Sequence, residues 1–406
     1  MAQDLAVKQE NSYDQKDLDK YTKQVETFFN VTLDNRTLCE RDRDYKNNIQ
    51  WTSDERTKII ARGQAPITVN RVKPKVEGLK GLLVSRRTDP KALPRTPKHE
   101  KGAEAVTDGL RYVNDNVDLD QVELEVADNV FVEGTGAAII EVKGDEITVE
   151  HIPWDLYYYD VHSRKLDFSD KTYDGFVIWL SSDDVQRYFE LSDDETEALF
   201  TTSFLGAVTD RPETLANWVD GKERRIKVCQ NFHLEKGVWK VCYFTYGRFL
   251  IEPQDSPWVD EEGNPVNPIE AVSANIDRDN NRFGEVRYWI DLQDEINHRR
   301  SKYLFLLSAR QTAARKGAIQ DVPGFKREMS KPDGHVEYNG EKGDFEVLLT
   351  NDMADAQYTL YEDGKRELDS VGFNAQLSGE RQGDLSGKAI SNLQQAATNE
   401  LSSLYA

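Results

Sequence analysis

The stretch nearest to a chemical signature is Gly-Asp-Leu-Ser-Gly-Lys-Ala at residues 383–389. A phosphate-cradling loop needs a glycine, four residues, then Gly-Lys-Ser/Thr, so that backbone N–H groups surround the phosphates and the hydroxyl meets a magnesium ion. Counted back from Gly387, the first glycine's place is held by Gln382, and Ala389 stands where the hydroxyl belongs. The Gly134-x-Gly136 pair lacks the third glycine of a dinucleotide loop and precedes a strand pattern instead of opening a helix. His99, His151, His162, His233, His298 and His335 are scattered, without the two-histidine helical spacing of a zinc site. Neither a serine nucleophile elbow nor a cysteine–histidine signature occurs. These residues predict no catalysis, no cofactor and no metal. Carboxylates are abundant enough to keep a metal-dependent DNA-processing enzyme open as an alternative.

Charge narrows the class further. The 406 residues carry 73 acids against 52 Lys/Arg, a net charge of -21. A generally basic surface that wraps nucleic acid is excluded, while a protein past which nucleic acid slides is not. Cys39, Cys229 and Cys242 are odd in number and lack metal-ligand spacing, which predicts buried thiols in a reducing compartment. The first residues have no apolar signal-peptide core. The densest apolar run, Tyr303 to Leu307, falls far short of the ~18 residues needed to span a bilayer. A soluble protein without membrane contact is expected.

The elements read as an α+β chain. Residues 1–30 are expected to include a polar, mobile arm, although Tyr21, Val25, Phe28 and Phe29 begin a helical period. Thr52 or Ser53 caps a short helix that Gly63 stops. From Arg71 to Lys101 there are ten Lys/Arg against three Asp/Glu, a basic window suited to a surface helix or to an acidic neighbour. Helices are predicted over 98–117 and 119–133, then strands over 137–142, 147–152 and 175–180. An acidic helical run covers 181–200, and a three-stranded meander covers 225–253 with turns at Lys236-Gly237 and Gly247.

Beyond Val286 the pattern changes. Arg287 to Ala313 holds no Gly or Pro and would span roughly 40 Å as a helix at about 1.5 Å per residue. Trp289, Ile296 and Leu307 lie near one face, while Arg299, Arg300 and Lys302 follow Asp291, Asp294 and Glu295, an order that suits the helix dipole. Turn dipeptides at Pro323-Gly324, Asp333-Gly334 and Asn339-Gly340 predict a small tip with a hairpin of 336–338 and 345–348. A second helix is predicted over 352–373, with acids Asp352, Asp355, Glu362 and Glu367, and another from 387 that continues past Ala406. A helix, tip and return helix bury little against themselves, so other copies are expected to cover them.

Several stretches in order resemble the portal, or head-to-tail connector, proteins of short-tailed, podovirus-type double-stranded DNA phages. They are residues 49–97, Phe-Val-Glu-Gly-Thr-Gly-Ala-Ala-Ile-Ile-Glu-Val at 131–142, residues 152–179, residues 282–311, Lys-Pro-Asp-Gly-His-Val-Glu-Tyr-Asn at 331–339, and Leu-Ser-Gly-Lys-Ala-Ile-Ser-Asn-Leu-Gln-Gln at 385–395. The resemblance implies a portal-type ring subunit: an N-terminal arm (1–30), an α/β wing (31–285), a first stem helix (286–315), a clip (316–351), a second stem helix (352–375), and a tunnel loop with a helix returning to the wing (376–406). The C-terminal crown or barrel of such proteins is not matched in this chain.

The resemblance also implies a ring of about twelve copies at one capsid vertex of the virion, assembled in the host cytoplasm. Double-stranded DNA would pass through it during packaging and ejection. Capsid and scaffolding proteins would meet the wing. The terminase motor, then tail adaptor proteins, would dock at the clip. Ser378, Glu380, Arg381, Gln382, Asp384 and Lys388 would line the tunnel. The stem would present Asp352, Asp355, Glu362 and Glu367 as an acidic face. Trp289, Ile296, Arg299, Arg300, Lys302 and Leu307 would form the seam between copies, its cations facing the acidic return helix. An acidic lining repels and centres DNA, whereas a basic one would hold it at many phosphates. A virion ring that conducts nothing is the remaining alternative.

Overall fold

The computed structural model describes residues 13–86, 90–144, 146–205, 217–308, 311–329, 335–340, 345–348 and 351–371. These fall into two compact units. The first takes the described residues within Met1–Arg43 and Val76–Arg287, the second those within Asp44–Lys75 and Tyr288–Ser403. Residues 44–75, expected in the wing, therefore group in the second unit with the two helices expected to form the stem.

In the first unit, helix α1 (Gln15–Val31) starts at a capping box in which the Asp14 carboxylate accepts from the Lys16 and Asp17 N–H groups and Asp17 reaches back to the Asp14 N–H. Leu18, Tyr21, Val25, Phe28 and Phe29 make its buried stripe. The expected flexible arm over residues 1–30 is thus corrected from Gln15 onward. Five large apolar side chains at helical spacing pack into the core of this unit and tie the segment down.

Helix α2 (Leu33–Lys46) follows, and α4 (Val72–Arg86) runs on from the second unit. Two antiparallel sheets carry the core. The smaller is ordered β2 (Glu146–Ile152), β1 (Thr135–Lys143), β9 (Ile269–Ser273), with Ile139 opposite both Glu150 and Ile269. The larger is ordered β3 (Tyr157–Tyr159), β4 (Tyr173–Ser181), β6 (Arg225–Glu235), β7 (Val238–Thr245), β8 (Arg248–Asp255), with β5 (Val219–Asp220) pairing β6. The expected meander is β6–β8, turning at Lys236-Gly237 and Gly247, both glycines having positive φ. A short pair, β10 (Asn275–Ile276) with β11 (Arg282–Phe283), leads out of this unit.

Helices α5 (Glu100–Asn116) and α6 (Leu119–Val132) match expectation, and the acidic run divides into α7 (Ser182–Phe189) and α8 (Asp193–Leu205). The glycine pair ahead of β1 serves packing. A Cβ on Gly134, at φ +90°, would come within 2.0 Å of the Phe283 backbone, and one on Gly136 within 2.6 Å of the Val126 carbonyl. All three cysteines are buried and free; burial pushes Cys39 and Cys229 up to about 12 and raises Cys242 as well.

The second unit contains α3 (Ser53–Ala61), α9 (Ile290–Ser308), α10 (Val322–Met329) and α11 (Asn351–Ser370), with β12 (Gln311–Ala314) pairing antiparallel to β13 (Phe345–Leu348). Thr52 and Glu55 form the capping box of α3, and Gly63 at φ +76° closes it, donating to the Ile60 carbonyl. Among the described residues no helix is long and apolar enough to cross a membrane.

Candidate functional site: a helix pair and its tip

Helices α9 and α11 run antiparallel. Ile296 meets Gly364, where an added Cβ would lie 3.6 Å from Ile296 Cγ1. One turn on, Arg299 Nη1 donates to Gln357 Oε1 at 3.2 Å, and Tyr303 lies against Tyr358 with ring centroids 5.5 Å apart. Arg300 sits over the rings of Tyr303 and Tyr361. Ala354, Tyr361, Gly364 and Leu368 form the buried side of α11, at the spacing of a helix face.

A second layer joins this pair. The irregular run 66–71 lies along α9 and gives its backbone to a polar ladder. Ser301 Oγ accepts from the Ile67 N–H at 3.0 Å, Asn297 Oδ1 from the Val69 N–H at 2.9 Å, and Gln293 Oε1 from the Arg71 N–H at 3.1 Å. Gln293 returns a bond to the Val69 carbonyl, and Asn297 donates to Gln50. Gln293, Asn297 and Ser301 are spaced by four, so one face of the helix reads an extended backbone as a neighbouring strand would. All three are 1% exposed or less.

The end of α11 is held by two cations. Arg71 Nη2 donates to both carboxylate oxygens of Asp369, and Lys75 Nζ donates to the Val371 carbonyl at 2.6 Å. Lys75 also lies 5.3 Å from the centre of the Trp289 ring. Burial lowers Lys75 to about 8, which leaves the ammonium charged at neutral pH. Both cations come from the basic window, and both complement the negative end of the helix.

The tip differs from expectation. Residues 311–314, expected at the end of the long helix, form β12 and supply the partner of β13; residues 336–338 form no strand. Pairing with a segment over thirty positions away overrides a weak local preference. Pro323-Gly324, expected as a turn, opens α10, because proline's missing N–H is harmless in a first helical turn and the Asp321 carboxylate accepts from the Gly324 N–H at 3.0 Å. Ala318, Phe325 and Val336 enclose a cleft of about 310 Å³ beside α10.

The other expected site residues divide. Trp289 and Ile296 are fully buried within a single chain, so their burial needs no neighbouring copy. Arg299 and Arg300 meet the return helix within that same chain, Arg299 also pairing with Glu295 at 3.1 Å. Lys302 and Leu307 are exposed. Asp355 and Glu367 are exposed, and Glu362 pairs with Lys365 at 3.1 Å. At 100° per residue Asp355 and Glu362 share one flank of α11 and Glu367 lies on the other, so they do not make a single stripe. The side chain of Asp352, and all of Ser378, Glu380, Arg381, Gln382, Asp384 and Lys388, lie outside the described residues. Sequence reasoning missed the ladder of Gln293, Asn297 and Ser301. The available signal was the four-residue spacing of three uncharged polar residues along a helix whose other polar positions are mostly charged.

Among the described residues no group of three or more His, Cys, Asp or Glu could hold a metal ion. A comparison with curated proteins gave no match. A comparison with protein families matches residues 22–406 to the family described as phage P22-like portal protein. That match covers the α/β unit, the helix pair and the tip alike, and on it the chain belongs to the phage P22-like portal protein family.

Proposed function

We propose that this phage portal protein assembles into a ring of about twelve copies at one capsid vertex, through which double-stranded DNA is packaged and ejected. The observation that carries the reading is the family match over residues 22–406. In this reading the first unit is the wing that meets capsid and scaffolding proteins. Helices α9 and α11 are the stem, and residues 316–351 are the clip, where the terminase motor and then tail adaptor proteins dock. The segment from Ser378 to Ser386, with Glu380, Arg381, Gln382, Asp384 and Lys388 around it, is the tunnel loop.

Electrostatics supports a conduit over a clamp. With a net charge of -21 the subunit repels DNA on average, and at physiological salt that repulsion reaches only about 8 Å. Acids must therefore face the bore to act. The flank carrying Asp355 and Glu362 faces the bore, with Asp352 beside it, and the Glu367 flank faces a seam between copies. Lys302 and Leu307 complete that seam.

Electron microscopy of the purified protein, with a native mass of the particle, tests the reading. Rings with a central hole wide enough for duplex DNA are the expected result. A monomer, or a closed disc without a bore, would sink it.

A further inference from the structure

Helix α5 carries an apolar stripe that the described residues of its own chain leave open. Ala103, Val106, Leu110, Val113 and Val117 fall within a sector of about 80°, at about 100° per residue. None of the five is buried, and Val106 and Leu110 are 54% and 43% exposed. Thr107 Oγ accepts from the Ala92 N–H at 3.0 Å, so residues 91–93 lie beside this helix, and Leu93 is 77% exposed. Lys91, Arg95, Lys98 and Lys101 of the same segment are exposed, and none has an ion-pair partner among the described residues.

A second open face lies in the same unit. On one side of the smaller sheet the register sets Ile140 opposite Val149 and Val142 opposite Ile147. Helix α6 covers the Gly136 end of that side, where Val126 and Val130 meet it. Beyond that cover Ile140, Val142 and Ile147 are 42%, 55% and 42% exposed. Glu270, opposite Ala138, lies on the same side, and Glu146 stands at the hairpin end. Both are exposed and have no ion-pair partner among the described residues.

We infer that the α5 surface of one copy docks on this sheet face of the next copy; the inference rests on the ring reading. A closed ring is built from head-to-tail contacts, so each copy must present two unlike surfaces that fit one another. Here one surface is apolar with cations and the other is apolar with carboxylates. Setting stripe against sheet removes both apolar surfaces from water. Copies that each carry a charge of -21 repel, so a contact between them needs opposite charges where they meet. Lys98 and Lys101 set against Glu146 and Glu270 supply them. Duplex DNA is the poorer occupant, because its phosphates would meet the cations and leave Leu93, Val106 and Leu110 in water.

A charge swap on the full-length protein tests this, with the ring fraction read by sedimentation velocity at low ionic strength. Lys98→Glu/Lys101→Glu and Glu146→Lys/Glu270→Lys, each alone, are expected to lower the ring fraction at least fivefold while the subunit's melting temperature holds. The four substitutions together are expected to restore most of it, which a misfolded subunit would not do. Rings at the unaltered level in both pair variants, or a loss that the combination does not reverse, would overturn the inference and leave the ring reading standing. So would a lysine variant that keeps its rings and loses only its binding to a duplex DNA probe, since the cations would then serve DNA. Absence of rings from the unaltered protein would sink the ring reading and this inference with it.

Discussion

Arg71 and Asp369, 298 positions apart, are joined by one guanidinium nitrogen that lies 2.7 and 2.8 Å from the two carboxylate oxygens. The pair fastens the segment before α4 to the last turn of α11. Both side chains are about one-third exposed, so solvent screens the attraction. A double-mutant cycle with Arg71→Ala and Asp369→Asn is expected to return a coupling of about 0.5–1 kcal/mol from urea unfolding. A coupling of zero would mean that the contact positions nothing.

Asn297 joins three groups at once: the Val69 N–H, Gln50 and Gln293. Asn297→Ala removes the acceptor and leaves buried polar groups without partners. A loss of about 1–3 kcal/mol is expected. Hydrogen exchange locates it: protection of the Val69 amide should fall first, while β6 and β7 keep theirs. Uniform loss across both units would contradict a local ladder.

His233 accepts or donates at 2.9 Å with the Tyr21 hydroxyl, beneath α1, and burial lowers it to about 4. The unfolded chain protonates this group near 6.5, so the folded state binds fewer protons between the two values. Its contribution is therefore complete above about pH 6.5 and is lost as pH falls toward 4, by up to about 3 kcal/mol. Thermal unfolding of His233→Gln followed over that range should show a flatter acid limb than the unaltered protein. Parallel limbs would place the acid sensitivity elsewhere.

Lys302 and Leu307 project from α9, and Leu307 is 54% exposed. Lys302→Glu/Leu307→Asp is expected to keep the melting temperature of the isolated subunit within a few degrees, since exposed substitutions usually cost within about 0.5 kcal/mol. The fraction of rings in sedimentation velocity should drop sharply. Rings at the unaltered level would remove these two residues from the seam. Arg299 and Arg300 are poorer choices, because their reversal also breaks contacts to Gln357 and Tyr361 within one chain.

Local periodicity and punctuation were enough for much of the fold. The capping box at Thr52 and Glu55, the stop at Gly63, the α5 and α6 helices and the β6–β8 meander all follow from interactions within a few residues. Such signals are short-range, so they survive in a single sequence. The family, too, was legible, because it lies in the order of stretches along the chain.

Tertiary structure alone decided what depends on distant partners. Nothing in residues 311–314 announces a strand until Phe345–Leu348 arrives to bond them. Trp289 and Ile296 looked like surface awaiting a neighbour, yet Lys75 and Gly364 of the same chain pack against them. The four-residue period of Gln293, Asn297 and Ser301 was visible, but the backbone it serves lies more than 220 positions earlier. A buried polar side chain is stable only once its partner is in place, and which segment becomes that partner is settled by folding the whole unit.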